Sequence, residues 1–408
     1  MALERDGSNR RVVVGITGAL AALGSVTAAL ISIALPETAD YFDTTPTVVG
    51  GGVASAFQLA FAVGHVLWGW QADVRGRITT LWIGLGLVAL ALPLCLIPSL
   101  EALVIARCLM GIGAAATLVV ARALIRDVFS GAAYGRAMTE LTMVFALLPG
   151  LAPVFGAGLV SLAGWHGVVA GLAAIVIGLA VGLFALSRLE GFRAALPPPR
   201  SLGLWECFGP PARSATFWWY SALAAIAISP MILLYAVGSS AYRAAFEIDA
   251  ATAATHCFVV SVVAYLVGGE IHKRSLSRLS VTQQIACGAG LILLSALAAL
   301  GATLGGVGVG GWTIGFSLYA IGLAFVLPTA TRQAIALVPG AGAPASALAG
   351  MMLMLVPVVG TALFAAAETF GPTLALPIVV CVLALALTAA VGLWRLTTGV
   401  SSTAPSPP

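Results

Sequence analysis

Charge is what this chain has least of: Asp, Glu, Lys and Arg make up 8% of 408 residues, while 60% are hydrophobic and 47 are Gly. A soluble domain carries charge on about a quarter of its residues. A water-soluble globular protein is therefore excluded, and an all-α polytopic membrane protein is the class that fits. The chain also lacks a phosphate-cradling GxxxxGK[ST] run, which argues against ATP as the energy source. Its six cysteines show no CxxC or metal-like spacing. Cys95, Cys108, Cys257, Cys287 and Cys381 lie in apolar runs and Cys207 in a polar stretch, so neither disulfides nor zinc is indicated and no cofactor is expected. No Ser/His/Asp set or carboxylate pair lies within an apolar run, which argues against an enzyme. The net charge of +4, densest at Lys273-Arg274 with Arg278, implies no nucleic-acid partner.

What is abundant is apolar sequence of membrane length. A bilayer core of about 30 Å needs roughly 20 apolar residues per helix. Twelve such runs are expected, at 12–35, 48–70, 79–98, 101–124, 138–162, 167–187, 214–237, 252–270, 282–304, 311–333, 345–367 and 373–394. The weakest breaks are at Gly305–Gly311 and Glu368–Pro372. The run from Val12 is too long for a signal-peptide core and has no small-residue cleavage site, so it is read as the first span.

Basic residues collect in short cytoplasmic loops. With the amino terminus inside, fifteen of the nineteen Lys and Arg residues fall in the cytoplasm, Arg122 and Arg332 at inner helix ends, Arg107 within a helix and only Arg243 clearly outside. The outer loops hold Glu37, Asp40, Asp43, Glu101, Glu247, Asp249 and Glu368. Both termini are accordingly expected in the cytoplasm. Residues 188–213, with Arg188, Glu190, Arg193, Pro197-Pro198-Pro199 and Arg213, form the longest polar interruption. It divides the chain into six spans in 1–187 and six in 214–408, an arrangement suited to two bundles rocking about a central site. Its prolines predict an extended linker.

The densest polar feature between two spans is Gly69-Trp70-Gln71-Ala72-Asp73-Val74-Arg75-Gly76-Arg77. Asp73 can accept from N–H groups at a neighbouring helix start, Arg77 can reach carbonyls or carboxylates, and Gly76 permits a tight return. Contacts of that kind would hold one arrangement of the inner face. The plainer alternative is a solvated loop that obeys the topology rule. After the eighth span, Gly268-Gly269-Glu270-Ile271-His272-Lys273-Arg274 keeps glycine, an acid and bases at altered spacing, as an eroded second copy would.

Gly69, Asp73, Gly76 and Arg77 resemble the signature after the second helix of the major facilitator superfamily, G-x-L-x-D-R-x-G-R-K, from which Gln71, Val74 and Ile78 depart. Further matches resemble its Bcr/CflA group of drug efflux transporters. They are Leu35-Pro36 in the first helix, Ser55, Phe57, Ala62 and Gly64 in the second, and Arg107, Gly111 and Gly113 in the fourth. The run Ala121-Arg122-Ala123-Leu124-Ile125-Arg126-Asp127 follows at the inner end of the fourth helix. Pro149, Pro153 and Gly156 match the fifth helix, then Gly164-Trp165; Gly322-Leu323-Ala324-Phe325 with Pro328 and Ala345-Ser346-Ala347-Leu348 with Gly350 match the second half. The resemblance implies a major facilitator fold of twelve helices in two six-helix bundles. It also implies a multi-pass bacterial inner-membrane location, a monomer by family default, a small-molecule substrate and a proton as coupling ion. Within that family Pro149, Pro153 and Gly156 suggest a hinge and seal.

Three residues are candidates for cargo contact or coupling. Arg107 lies about six residues, roughly 9 Å, into its helix. An arginine there is costly unless paired or hydrated, and because it stays charged it can bind an anionic group or stabilise a nearby carboxylate but cannot carry the proton. The alternative is a structural pair. Glu140, just inside the fifth span, can alternate between protonated and charged forms, or simply pair with Arg136 one turn away. His65 can exchange protons or bind cargo, or be a neutral interior histidine. Exporters of this type often carry an acid in the first helix; Val12–Leu35 has none, which favours neutral or anionic cargo. The expected function is proton-coupled antiport of a drug or endogenous metabolite, with a siderophore or other anionic metabolite as a specific option. An importer or a non-transporting receptor are the alternatives.

Overall fold

Apolar runs of this length satisfy their backbone hydrogen bonds in a bilayer by forming helices. The computed structural model describes residues 7–33, 35–44, 53–189, 191–199, 203–249, 252–253, 255–336, 342–371 and 373–397. Among them there is no strand. The helices are α1 (Gly7–Ile33), α2 (Leu35–Tyr41), α3 (Ala54–Val74), α4 (Arg77–Leu94), α5 (Leu100–Val128), α6 (Gly131–Arg188) and α7 (Leu204–Arg213). They continue as α8 (Ala215–Phe246), α9 (Val260–Ser275, after a π turn at Thr255–Val259), α10 (Val281–Leu304), α11 (Gly308–Ala336), α12 (Gly342–Ala367) and α13 (Ala375–Thr397). Ten stretches among the described residues are long and apolar enough to cross a membrane. The expected spans 48–70 and 138–162 fall on α3 and on the first limb of α6, outside those ten; residues 45–52 lie outside the described residues. The weak break near Gly305 is a true helix end, with Gly306 at φ +65°, and the next is the 3-10 turn Glu368–Phe370 followed by Gly371 at φ +98°.

The chain folds as two units, Met1–Trp219 with Arg332–Met352, and Tyr220–Thr331 with Leu353–Pro408. In the first, α5 is the central helix: it packs on α3, α4 and α1, and every residue from Gly113 to Ile125 is buried. Small residues set that spacing, because helices in lipid associate by close backbone contact. A Cβ at Gly113 would lie 2.5 Å from the Gly84 carbonyl oxygen, and one at Gly111 2.5 Å from that of Phe57. Ser99 caps the start of α5 by accepting from the Ala102 amide at 3.3 Å.

An unbroken α6 of 58 residues would run about 87 Å, nearly three bilayer cores. It is broken instead at Ala163 (φ −154°, ψ 26°) and Gly164 (φ 53°, ψ −136°), the second in a region only glycine enters freely. Trp165, just past the break, donates its indole N–H to the Cys95 carbonyl at 2.8 Å and so fixes the second limb to the end of α4. The chain stays helical through Pro149 and Pro153.

The polar segment 188–213 is not extended throughout. Arg193–Ala195 makes a 3-10 turn, and Leu204–Arg213 is a helix even though Pro210 and Pro211 lie inside it. The physical reason is local. Glu206 Oε2 accepts from the Gly203 amide at 2.8 Å, satisfying a free donor at the start, and the prolines occupy the last turns while Cys207, Phe208 and Pro211 are buried. Burial of one face outweighs the lost hydrogen bonds.

The second unit repeats the glycine contacts of the first. Gly64 faces the Ile112 Cα and Gly84 the Gly113 carbonyl; Gly268 faces the Ile321 Cα and Gly288 the Gly322 carbonyl. Each pair of helices carries its glycines 20 residues apart. In α8, Pro230 removes a donor, and the Tyr319 hydroxyl enters the ladder there. It receives the Met231 amide at 3.0 Å and donates to the Ala227 carbonyl at 2.7 Å.

Candidate functional site

Gly76, at φ +85°, lets the chain turn from α3 straight into α4, and Arg77 opens α4. The Arg77 side chain is buried and ties three helices. Its Nε donates to Asp127 Oδ2 at 2.9 Å, and its Nη1 donates to the Ala72 carbonyl at 2.7 Å and to Asp73 Oδ1. A guanidinium between two carboxylates is a fork whose bonds are both charge-assisted. Gly69, one turn before Asp73, is buried against α12 and α7: a Cβ there would meet the Ala347 Cβ at 2.5 Å and Phe208 at 3.1 Å. Burial, then the negative charges of Asp73 and Glu206, push the Cys207 thiol up, so it stays protonated beside this knot.

Arg107 is 1% exposed, and its guanidinium carbon sits 4.2 Å over the centroid of the Phe57 ring. Its Nε and Nη1 have no hydrogen-bond partner among the described residues. A desolvated cation–π contact is worth about 2 kcal/mol, less than the several kcal/mol needed to bury a charge. The site is electrostatically unfinished: it has a cation and an aromatic platform but, among the described residues, no paired anion.

A second unfinished cluster lies further along α5. Arg122 is buried with Nε and Nη1 unpartnered among the described residues. His65 is fully buried; its Nδ1 lies 2.8 Å from the Phe61 carbonyl, so Nδ1 carries a proton, and Nε2 has no partner among the described residues. Glu140 is different. It accepts from Arg10 Nη2 at 2.7 Å, and the pair is partly exposed.

The sequence profile of the Major Facilitator Superfamily matches residues 15–361. This chain belongs to that superfamily. A relative described as the uncharacterized MFS-type transporter YdgK of Bacillus subtilis is 27% identical over 365 residues, 86% of this chain and 87% of the relative. The bicyclomycin resistance protein homolog of Haemophilus influenzae is 34% identical over 133 residues, 32% of this chain and 33% of its own. Among solved structures, the MFS transporter FucP in the outward conformation matches with TM-score 0.73 at 15% identity, over 93% of this chain and 98% of that one. The human organic anion transporter MFSD10 matches with TM-score 0.69 at 16% identity, over 95% and 100%. At such identities the structures speak for the fold alone.

As a facilitator, the chain is a multi-pass membrane transporter and not an enzyme, and its superfamily binds small-molecule substrates within the membrane. Of the residues singled out from sequence, the structure brings Asp73, Gly76, Arg77 and Asp127 into one knot, and His65 and Arg122 into one cluster. Arg107 connects to His65 through the stacked Phe57 and Phe61 rings, Glu140 pairs with Arg10, and Arg126 is partly exposed one turn from Arg122. Gly156 is buried on the first limb of α6; Pro149 and Pro153 are described in backbone only.

Sequence reasoning missed three partners. Phe57 was visible as a family match but not as the platform for Arg107. Arg10 was counted only for topology, although it lies just before the first span as Glu140 lies just inside the fifth; equal depth from one face was the signal. The third is a hydrogen-bonded pin in the second unit, where His272 Nε2 lies 3.2 Å from Gln284 Oε1 and 3.0 Å from Thr329 Oγ1, and Thr329 donates to Gln284 Oε1 at 3.0 Å. It joins α9, α10 and α11, the counterparts of the α3, α4 and α5 that Arg77 joins, and it falls on the eroded motif copy.

Proposed function

We propose that this facilitator exports a small organic molecule, neutral or anionic, across the bacterial inner membrane by alternating access, in exchange for protons. It works as a monomer with both termini in the cytoplasm. Twelve spans form two six-helix bundles, 1–187 and 214–408, joined by 188–213. The observation that carries the cargo class is Arg107: a fully buried cation with two unpartnered nitrogens on a Phe57 platform is suited to an anionic or hydrogen-bond-accepting group. The relative named for bicyclomycin resistance supports export. Asp73, Gly76 and Arg77, with Asp127, act as the cytoplasmic latch; Arg122, Arg126 and Asp127 mark the inner end of α5. Pro149, Pro153 and Gly156 give the first limb of α6 a place to bend, since each proline removes a backbone donor. Glu140 and His65 are the candidate titratable groups for coupling.

Transport into inside-out vesicles with an acid-interior gradient tests this, using bicyclomycin and small organic acids as cargo. Gradient-dependent accumulation by the wild type and its loss in Arg107→Ala are expected. Accumulation that ignores the gradient overturns proton coupling, and normal transport by Arg107→Ala overturns the role of that residue. A siderophore is a specific option for the cargo, since Arg107 is buried with two unpartnered nitrogens and the first span carries no acid. Retention of the siderophore inside a deletion strain supports that cargo, and unchanged secretion rejects it.

A further inference from the structure

Two buried nitrogens in the first unit converge on one glycine. A Cβ placed on Gly350 of α12 would lie 2.7 Å from His65 Nε2 and 3.4 Å from Arg122 Nη1. Neither nitrogen has a hydrogen-bond partner among the described residues, and both side chains are more than nine-tenths buried. Gly350 itself offers only hydrogen at that point, so it covers the two groups without satisfying either. The cover is held one turn away, where Ser346 Oγ donates to the Val119 carbonyl of α5 at 3.0 Å.

We propose that His65 and Arg122 form a carboxyl-binding subsite, closed in this structure by Gly350, that takes an organic carboxylate together with one proton. The proposal rests on the transport reading above and supplies the chemical class of the cargo; because one proton leaves with each carboxylate, exchange against protons then requires at least two protons to return per cargo molecule. Arg122 provides the charge and the donor for one carboxylate oxygen. The His65 tautomer decides the rest. Because Nδ1–H is committed to the Phe61 carbonyl, neutral His65 offers only a lone pair at Nε2, which would repel a bare carboxylate oxygen. A proton taken up from the buffered solvent, leaving the buffer's conjugate base, and shared between Nε2 and the second oxygen removes that repulsion. Among the described residues the charged group acting on His65 is Arg122 of α5; Phe61 lies on its own helix, and α12 presents Gly350, which carries no charge. Binding then adds an anion and a proton together, and the site is reached when the first turns of α12 leave α3 and α5.

Benzoate is the probe, titrated calorimetrically into the full chain in lipid nanodiscs at pH ~6.5, the ordinary histidine range, in two buffers of different ionisation enthalpy. The wild type, or Gly350→Ala if the cover is tight, should bind benzoate with uptake of about one proton per molecule. Gly350→Ala should bind more tightly, because its Cβ pushes α12 off His65. His65→Gln should lose the proton uptake, and Arg122→Gln should bind about tenfold more weakly or worse, while Arg122→Lys keeps part of the affinity and shows that the fold tolerates the position. Arg243→Gln, an exposed arginine of the second unit, should change neither. Unaltered proton uptake in His65→Gln, unaltered affinity in Arg122→Gln, or no binding by either the wild type or Gly350→Ala overturns the subsite. A protein that fails here but exports in the vesicle assay loses only the subsite; one that binds benzoate as described and moves no cargo loses only the export reading.

Discussion

Three buried arginines of the first unit meet the cost of a charge in an apolar bundle in different ways. Arg77 has two carboxylates and a carbonyl, Arg107 has an aromatic face, and Arg122 has no hydrogen-bond partner among the described residues. The first is structural in energy. Removing one member of a buried ion group leaves the others uncompensated, so Arg77→Ala should lower stability by about 3–5 kcal/mol. Thermal unfolding in detergent, with Arg77→Lys recovering only part of the loss because it cannot span both acids, checks this. Glu140 stands at the other extreme. Its pair with Arg10 is partly solvated, so Glu140→Gln should cost about 1 kcal/mol or less, measured the same way. A larger loss would mean that the pair anchors α1 to α6. If transport also survives that substitution, Glu140 is not the proton carrier.

At the scale of elements, the exceptions to regular helix each have a named cause. α6 breaks where Gly164 takes a conformation other residues resist, and Gly164→Ala should destabilise by about 1–3 kcal/mol. α8 survives Pro230 because the Tyr319 hydroxyl stands in for a missing ladder contact. Tyr319→Phe would strand the Met231 amide and the Ala227 carbonyl, at a cost of about 1–3 kcal/mol. Hydrogen exchange at Met231 should quicken in that variant; unchanged exchange would show that the ladder closes without the tyrosine. The helix at Leu204–Arg213 shows why composition misleads. Prolines in 188–213 suggested an extended strand of chain, but a cap by Glu206 and a buried face overrode them.

For the whole molecule, the seam that matters is where the first turns of α12 meet α3 and α5. Gly69 there leaves no room for a side chain, since a Cβ would lie 2.5 Å from Ala347 and 3.3 Å from the Ala343 carbonyl. Gly69→Val should therefore keep α12 from seating and favour a state in which this end is open. Cys207, now buried beside the seam, should then react several-fold faster with a membrane-impermeant maleimide, read by peptide mass spectrometry. Labelling no faster than wild type would mean that the seam repacks without opening. The recurrence of glycine contacts at Gly64 and Gly84, and again at Gly268 and Gly288, also makes the two units copies of one plan. Their polar pins, however, differ: carboxylates hold Arg77 in the first, and Gln284 and Thr329 meet His272 in the second.

The class, the family and most of the membrane helices are legible in the sequence. Those follow from one-dimensional quantities: the length of apolar runs, the placement of basic residues and the residue types at short fixed spacings. It also picked out Arg107, His65, Asp73, Arg77 and Arg122, because a polar group in an apolar run is conspicuous wherever it points. Partnership was decided only by the tertiary structure. Whether a buried cation is neutralised depends on what a distant helix presents at the same depth. Thus Arg77 meets Asp127 fifty residues away, Glu140 meets Arg10, and His65 and Arg122 face a glycine more than two hundred residues further along the chain. No local pattern encodes that choice, since it is made by the close approach of glycine-lined backbones that carry these side chains together.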